Sequence, residues 1–148
     1  MRNTIVALIS AAASAKVMVL EPLDWCNDCQ EIAYVWVPGE APYVPEDYLD
    51  IAQAVQRQAA GKGLAAWVGI ASHELAEPYP DVINQEINKV VKKVKKAGFE
   101  GEDWFLAAHS LGGHTAQSYP RDDEEHPDLF KAQILMGSAL KRDLRSIQ

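Results

Sequence analysis

Residues 104–113 read Trp104-Phe105-Leu106-Ala107-Ala108-His109-Ser110-Leu111-Gly112-Gly113. The apolar run at 104–108 is short and follows a polar cluster, which is typical of a buried strand in a parallel sheet. Ser110 comes just after this strand, at the edge of the sheet where open α/β folds bind ligands. A serine on a sharp turn between a strand and a helix is the arrangement that exposes a nucleophilic hydroxyl.

We call residues 108–113 the elbow. The usual pattern of such a turn is G-x-S-x-G, and Ala108 stands in place of the first glycine, which adds one methyl group. Gly112 and Gly113 supply the small residues needed where the helix packs back against the strand. The alternative is that Ser110 only caps the following helix, because serine among small residues is also common at helix starts.

Strands and helices are predicted to alternate along the rest of the chain. The strands are expected at 32–37, 64–70, 104–108 and 131–138, where short runs are apolar and are bounded by turn residues. Helices are expected at 48–60, at 82–97, and from Ser110 to about Ser118, before Pro120. This order predicts an α/β fold with a mostly parallel sheet and helices on both faces, giving three layers.

The predicted strand, serine turn and helix resemble the α/β-hydrolase family, and more loosely its lipase, esterase and chlorophyllase-like members. The resemblance covers residues 32–140 and corresponds to the N-terminal portion of the family. It implies that Ser110 attacks the carbonyl of a small-molecule or lipid ester, while the backbone N–H groups of Glu40 and Leu111 stabilise the oxyanion. It also implies that His109 supports the elbow, and it implies no metal or organic cofactor. The stretch Pro38-Gly39-Glu40 departs from the family's usual His-Gly.

The acid and the histidine of a serine triad have no assigned residue in this sequence. In the family they follow later strands than those predicted here, so the sheet is expected to be incomplete at its C-terminal end. The favoured explanation is that the sequence is part of a longer serine hydrolase. A noncatalytic secreted binding module that keeps the fold is the alternative. A third possibility is a nonstandard base, His126, oriented by Asp122 or Asp123.

Two further histidines receive structural interpretations. His114 follows Ser110 by about one helical turn and is expected in the core or at the surface. His73 comes after the second predicted strand and is interpreted as part of a loop cap.

Composition excludes some functions. The formal net charge is −7 and the pI is near 5.0, which argues against a nucleic-acid-binding surface. The lysines between positions 89 and 96 alternate with valines, as expected for the solvated face of an amphipathic helix. No apolar run reaches the roughly 18 residues of a transmembrane helix.

Residues 1–15 resemble a signal peptide, and the resemblance implies that residues 16–148 form a partial α/β-hydrolase domain. Arg2, a short apolar run and Ala13-Ser14-Ala15 match the three parts of an export signal. A secreted protein is therefore expected, with an ordinary N-terminal helix of a cytoplasmic protein as the alternative.

Cys26 and Cys29 are expected to form a local disulfide or to pair elsewhere, and a zinc site is discounted because no further ligands have suitable spacing.

Overall fold

The computed structural model describes residues 16–23, 29–40, 44–72, 80–119 and 128–141. The predicted signal peptide at 1–15 lies outside these residues. The same holds for His73 and for the acidic segment with Asp122, Asp123 and His126.

The described chain forms strands and helices in alternation. The strands are β1 (Met18–Leu20), β2 (Gln30–Val37), β3 (Leu64–Ile70), β4 (Asp103–His109) and β5 (Phe130–Met136). The helices are α1 (Leu49–Ala60), α2 (Pro80–Ala97) and α3 (Ser110–Ala116), and a short 3-10 turn (Pro45–Tyr48) precedes α1. None of the described helices is long and apolar enough to cross a membrane.

The strands form one sheet in the order β1-β3-β2-β4-β5. Strand β1 pairs antiparallel with β3, and the other neighbours pair parallel. This architecture confirms the predicted α/β class with a mostly parallel sheet.

Helices cover both faces of the sheet. Valines and isoleucines of α2 pack with alternate residues of β2, β3 and β4 in the larger core, which also contains Ala116 of α3. On the opposite face, Ala52 and Ala59 of α1 pack against β2 and β3. The side chains alternate between the two faces because successive residues of a strand point in opposite directions.

The order of the strands reverses at β2. From β2 the chain passes through α1 to β3 on one side, and then through α2 to β4 on the other side. The carboxyl ends of β2 and β4 are therefore neighbours at a topological switch point, where open α/β sheets form their ligand sites. The residues that follow these two ends are Pro38–Glu40 and Ser110.

Most boundaries differ from the sequence predictions by one or two residues. Strand β2 begins at Gln30 rather than 32, α1 at Leu49 rather than 48, α2 at Pro80 rather than 82, and β4 covers Asp103–His109 rather than 104–108. Strand β1 was not predicted, because a three-residue run is too short to show a period. Helix α3 ends at Ala116 rather than near Ser118, since residues 117 and 118 form a turn. Strand β5 covers Phe130–Met136 rather than 131–138, and it stops before Gly137, whose φ of 60° is incompatible with a strand.

The buried side chain of Gln117 joins the end of α3 to the segment after β5. Its Nε2 donates to the carbonyl oxygens of Gly113 and Ala139, at 3.1 and 2.9 Å. Its Oε1 accepts from the backbone N–H of Lys141 at 3.0 Å. The side-chain amide thus satisfies backbone groups from both segments.

We expect Gly69→Ala to destabilise the sheet. A Cβ at residue 69 would lie 2.3 Å from Cγ1 of Val90 in α2, so the helix must shift. The expected loss is about 1–3 kcal/mol in the free energy of urea unfolding. Gly61→Ala is the control, because its Cβ would meet no atom closer than 3.5 Å. The double variant with Val90→Ala should lose less than the sum of the single variants; strict additivity would contradict this packing.

Candidate active site

Ser110 has a strained backbone conformation. Its φ is 51°, and it is the only residue other than glycine with a positive φ in the described part of the chain. Such a conformation costs a non-glycine residue about 1–3 kcal/mol and is held by the surrounding packing. Within the described residues, the Ser110 hydroxyl caps no backbone N–H of α3, and the side chain of His109 at the N-cap position forms no cap either. The capping alternative therefore receives no support from the described contacts.

Three small residues of the elbow allow α3 to pack close to the sheet. A Cβ on Gly112 would lie 1.9 Å from the carbonyl oxygen of Pro38, and one on Gly113 would lie 2.8 Å from Cβ of Ser138. Ala108 is fully buried between its neighbours on β2 and β5. The requirement for small residues that the sequence indicated is thus explained by close contacts at the helix.

The loop after β2 lies against the elbow. A Cβ on Gly39 would be 3.3 Å from Cβ of Ser110 and 3.0 Å from Nδ1 of His109. Glu40, which directly follows Gly39, is exposed, and Leu111 is half-buried. The structure therefore brings together the two segments whose N–H groups were predicted to bind an oxyanion.

Tyr48 is a site residue that the sequence did not reveal. Its hydroxyl accepts a hydrogen bond from the backbone N–H of Gly39 at 2.9 Å. The same oxygen lies 3.0 Å from Nδ1 of His109. These contacts place His109 next to the loop after β2, and its support of the elbow, which the resemblance implied, stays a prediction. A tyrosine ahead of an amphipathic helix gives no sequence signal for such a contact.

A cavity of about 240 Å³ lies beside the elbow, on the face that carries α1. It is lined by Trp36, Asp47, Tyr48, Ile51, His109 and Met136. Trp36, Ile51 and Met136 also line a longer apolar groove of about 560 Å³ along α1. Burial raises the pKa of the Tyr34 phenol, which lines this groove, above its usual range.

The two described histidines lie in different environments. His109 directs Nδ1 toward Tyr48. The side chain of His114, which was expected in the core or at the surface, is exposed.

In the part of the chain described, no group of three His, Cys, Asp or Glu residues could hold a metal ion. Cys29 is disulfide-bonded, and the sequence contains one other cysteine, Cys26.

The sheet, the serine turn and the loop beside it define an α/β-hydrolase-like fold, and comparison with solved structures supports this class. Esterase 2 of Thermogutta terrifontis with bound propionate superposes with a TM-score of 0.57 at 17% identity, over 89% of this chain and 53% of that one. The esterase Est1E from Butyrivibrio proteoclasticus gives a TM-score of 0.53 at 20% identity, over 79% of this chain and 44% of that one.

The present chain spans about half the length of these esterases. Neither protein-family models nor curated proteins gave a match to the sequence. At these identities the likeness establishes the fold, and activity needs a separate argument.

We expect Ser110→Gly to be more stable than Ser110→Ala. Both variants remove the hydroxyl, but only glycine adopts a φ of 51° without a steric penalty. The expected difference is about 1 kcal/mol in the free energy of unfolding, measured by urea denaturation of the two variants. Equal stabilities would mean that residue 110 is not strained in solution.

Proposed function

We propose that this chain forms the nucleophile-bearing part of a serine hydrolase that cleaves a carboxylic ester or a related acyl substrate. The observation that carries the proposal is the positive φ of Ser110 on the turn between β4 and α3. Strained non-glycine residues cluster at functional sites, because the surrounding packing must hold them in a conformation that costs free energy. Ser110 has this strain at the edge of a parallel sheet where ligands bind.

In the proposed reaction, Oγ of Ser110 forms a bond to the acyl carbonyl carbon while a base removes its proton. The carbonyl oxygen becomes an oxyanion, which accepts hydrogen bonds from the backbone N–H groups of Glu40 and Leu111. The protonated base then gives its proton to the leaving alcohol, and an acyl-serine remains. Water attacks this intermediate by the reverse sequence and releases the acid.

The close approach of Gly39 to Ser110 supports this assignment of donors. Gly39 and Ser110 lie close together. The two proposed donors are the N–H groups of the residues that directly follow them, Glu40 and Leu111. The N–H of Leu111 also lies in the first turn of α3, where backbone N–H groups have no partner within the helix.

The base and its orienting acid are proposed to come from a part of a longer protein beyond this sequence. The coverage of about half of the esterase structures supports this proposal, and so do the contact of His109 Nδ1 with Tyr48 and the exposure of His114. The competing source is His126 with Asp122 or Asp123, in the loop outside the described residues.

Fluorophosphonate labelling of the native protein that carries this sequence tests the nucleophile. We expect covalent modification of the wild type, and a loss of labelling and of esterase activity by at least about 10³-fold in Ser110→Ala. Ser138→Ala is the matched control, since Ser138 lies against Gly113 of the same helix and has no role in the proposed reaction. Full esterase activity in Ser110→Ala would rule out the proposed nucleophile.

The intact mass of the native protein tests the origin of the base. A mass well above 16.3 kDa would support a longer hydrolase. A mass at or slightly below this value, together with an absence of labelling, would favour the noncatalytic binding module instead.

We also propose that the protein is exported. The signal-like pattern of residues 1–15 and the disulfide-bonded state of Cys29 support export, because disulfides persist mainly in oxidising compartments. The mature protein should begin after Ala15, and N-terminal sequencing checks this. Retention of residues 1–15 on the mature protein would favour the cytoplasmic alternative.

A further inference from the structure

We propose that Tyr48 is a positioning residue that sets the distance between the two halves of the oxyanion site. This inference rests on the proposed function. Its basis is that one buried hydroxyl contacts both the residue before Glu40 and the residue before Ser110.

The backbone pairing of β2 and β4 stops short of the site. The last paired residues are Val37 and Ala108. Beyond this pair, the chain after β2 turns into Pro38–Glu40, and the chain after β4 turns into the elbow. The relative position of the two segments therefore depends on contacts other than the sheet hydrogen bonds.

The Tyr48 hydroxyl supplies such a contact directly after the last strand pair. It accepts from the N–H of Gly39 at 2.9 Å and lies 3.0 Å from Nδ1 of His109. A hydroxyl that accepts one hydrogen bond can still donate its own hydrogen, so Nδ1 of a neutral His109 is a suitable acceptor. Through this oxygen, the loop after β2 is connected to the strand that carries Ser110.

The ring of Tyr48 is itself held in place. It is 5% exposed and packs against Trp36 and His109, each at a centroid distance of 5.9 Å. A ring enclosed in this way holds its hydroxyl in a fixed position at little cost in side-chain entropy during the reaction. The oxygen can therefore act as a rigid spacer between the two segments.

Precise spacing matters because an oxyanion site works through donors that are already in place before the charge develops. If the hydroxyl is removed, the N–H of Gly39 loses its partner and the loop can move relative to Ser110. We expect a greater effect on the transition state than on substrate binding, since the ground-state carbonyl needs these donors less.

Tyr48→Phe in the native protein tests the inference. We expect kcat for a p-nitrophenyl ester to fall by about 10- to 100-fold with KM changed by less than about 3-fold. The matched control is Tyr119→Phe, because it also removes a buried phenol hydroxyl, one that is hydrogen-bonded to Asn88 of α2 on the opposite sheet face. The control should keep the wild-type kcat. An unchanged kcat in Tyr48→Phe, with an active wild type, overturns the inference.

A second measurement does not depend on activity. The amide hydrogen of Gly39 should exchange slowly with deuterium in the wild type and about 10-fold faster or more in Tyr48→Phe, because its acceptor is gone. The exchange rates of residues in β3 should stay unchanged, which distinguishes local release from unfolding. An unchanged Gly39 rate overturns the proposed connection.

The two measurements separate the failure of this inference from that of the proposed function. If the wild type is neither labelled nor active but Gly39 exchange responds to Tyr48→Phe, the connection exists and the hydrolase proposal fails. If Tyr48→Phe does not fold, His109→Gln tests the other side of the contact. It should lower kcat and speed Gly39 exchange as well, and wild-type values for both would overturn the inference.

Discussion

The close approach of α3 to the end of β2 is the constraint on which the site depends. At residue 112 there is no space for a side chain, because a Cβ would lie 1.9 Å from the carbonyl oxygen of Pro38. The helix that makes this contact begins immediately after β4. A helix that begins so early forces a sharp turn at Ser110, and the turn requires a positive φ there. The strained backbone of Ser110 and the glycine at residue 112 therefore both result from the close packing of α3 against the end of β2.

The reversal of strand order brings together segments that are far apart in the sequence. The chain passes through α1, β3 and α2 between the loop at 38–40 and the elbow, yet the two segments touch across the edge of the sheet. Described helices pack on both faces of the sheet beside this edge. The parallel strands therefore give both segments a rigid base.

Much of the secondary structure could be predicted from the sequence. Strand β3 was predicted at its observed limits, because its apolar run lies between a glycine-containing turn and polar residues. Strand β1 was missed because Met18–Leu20 is too short for a periodic signal. Strand order was not predictable from local patterns, since it depends on which sheet edge each helix returns to. Tyr48 was missed for the same reason, because its partners Gly39 and His109 meet it only in the folded sheet.

The buried amide of Gln117 has a mechanical consequence. It is hydrogen-bonded to the carbonyl oxygen of Gly113 in the helix and to backbone groups of Ala139 and Lys141. A displacement of the segment after β5 therefore pulls on the helix that begins at Ser110. Lys141 adds a second link, because its Nζ donates to Oγ of Ser118 in the turn after α3. The segment at 139–141 and the helix that carries Ser110 are therefore joined as one mechanical unit by two side chains.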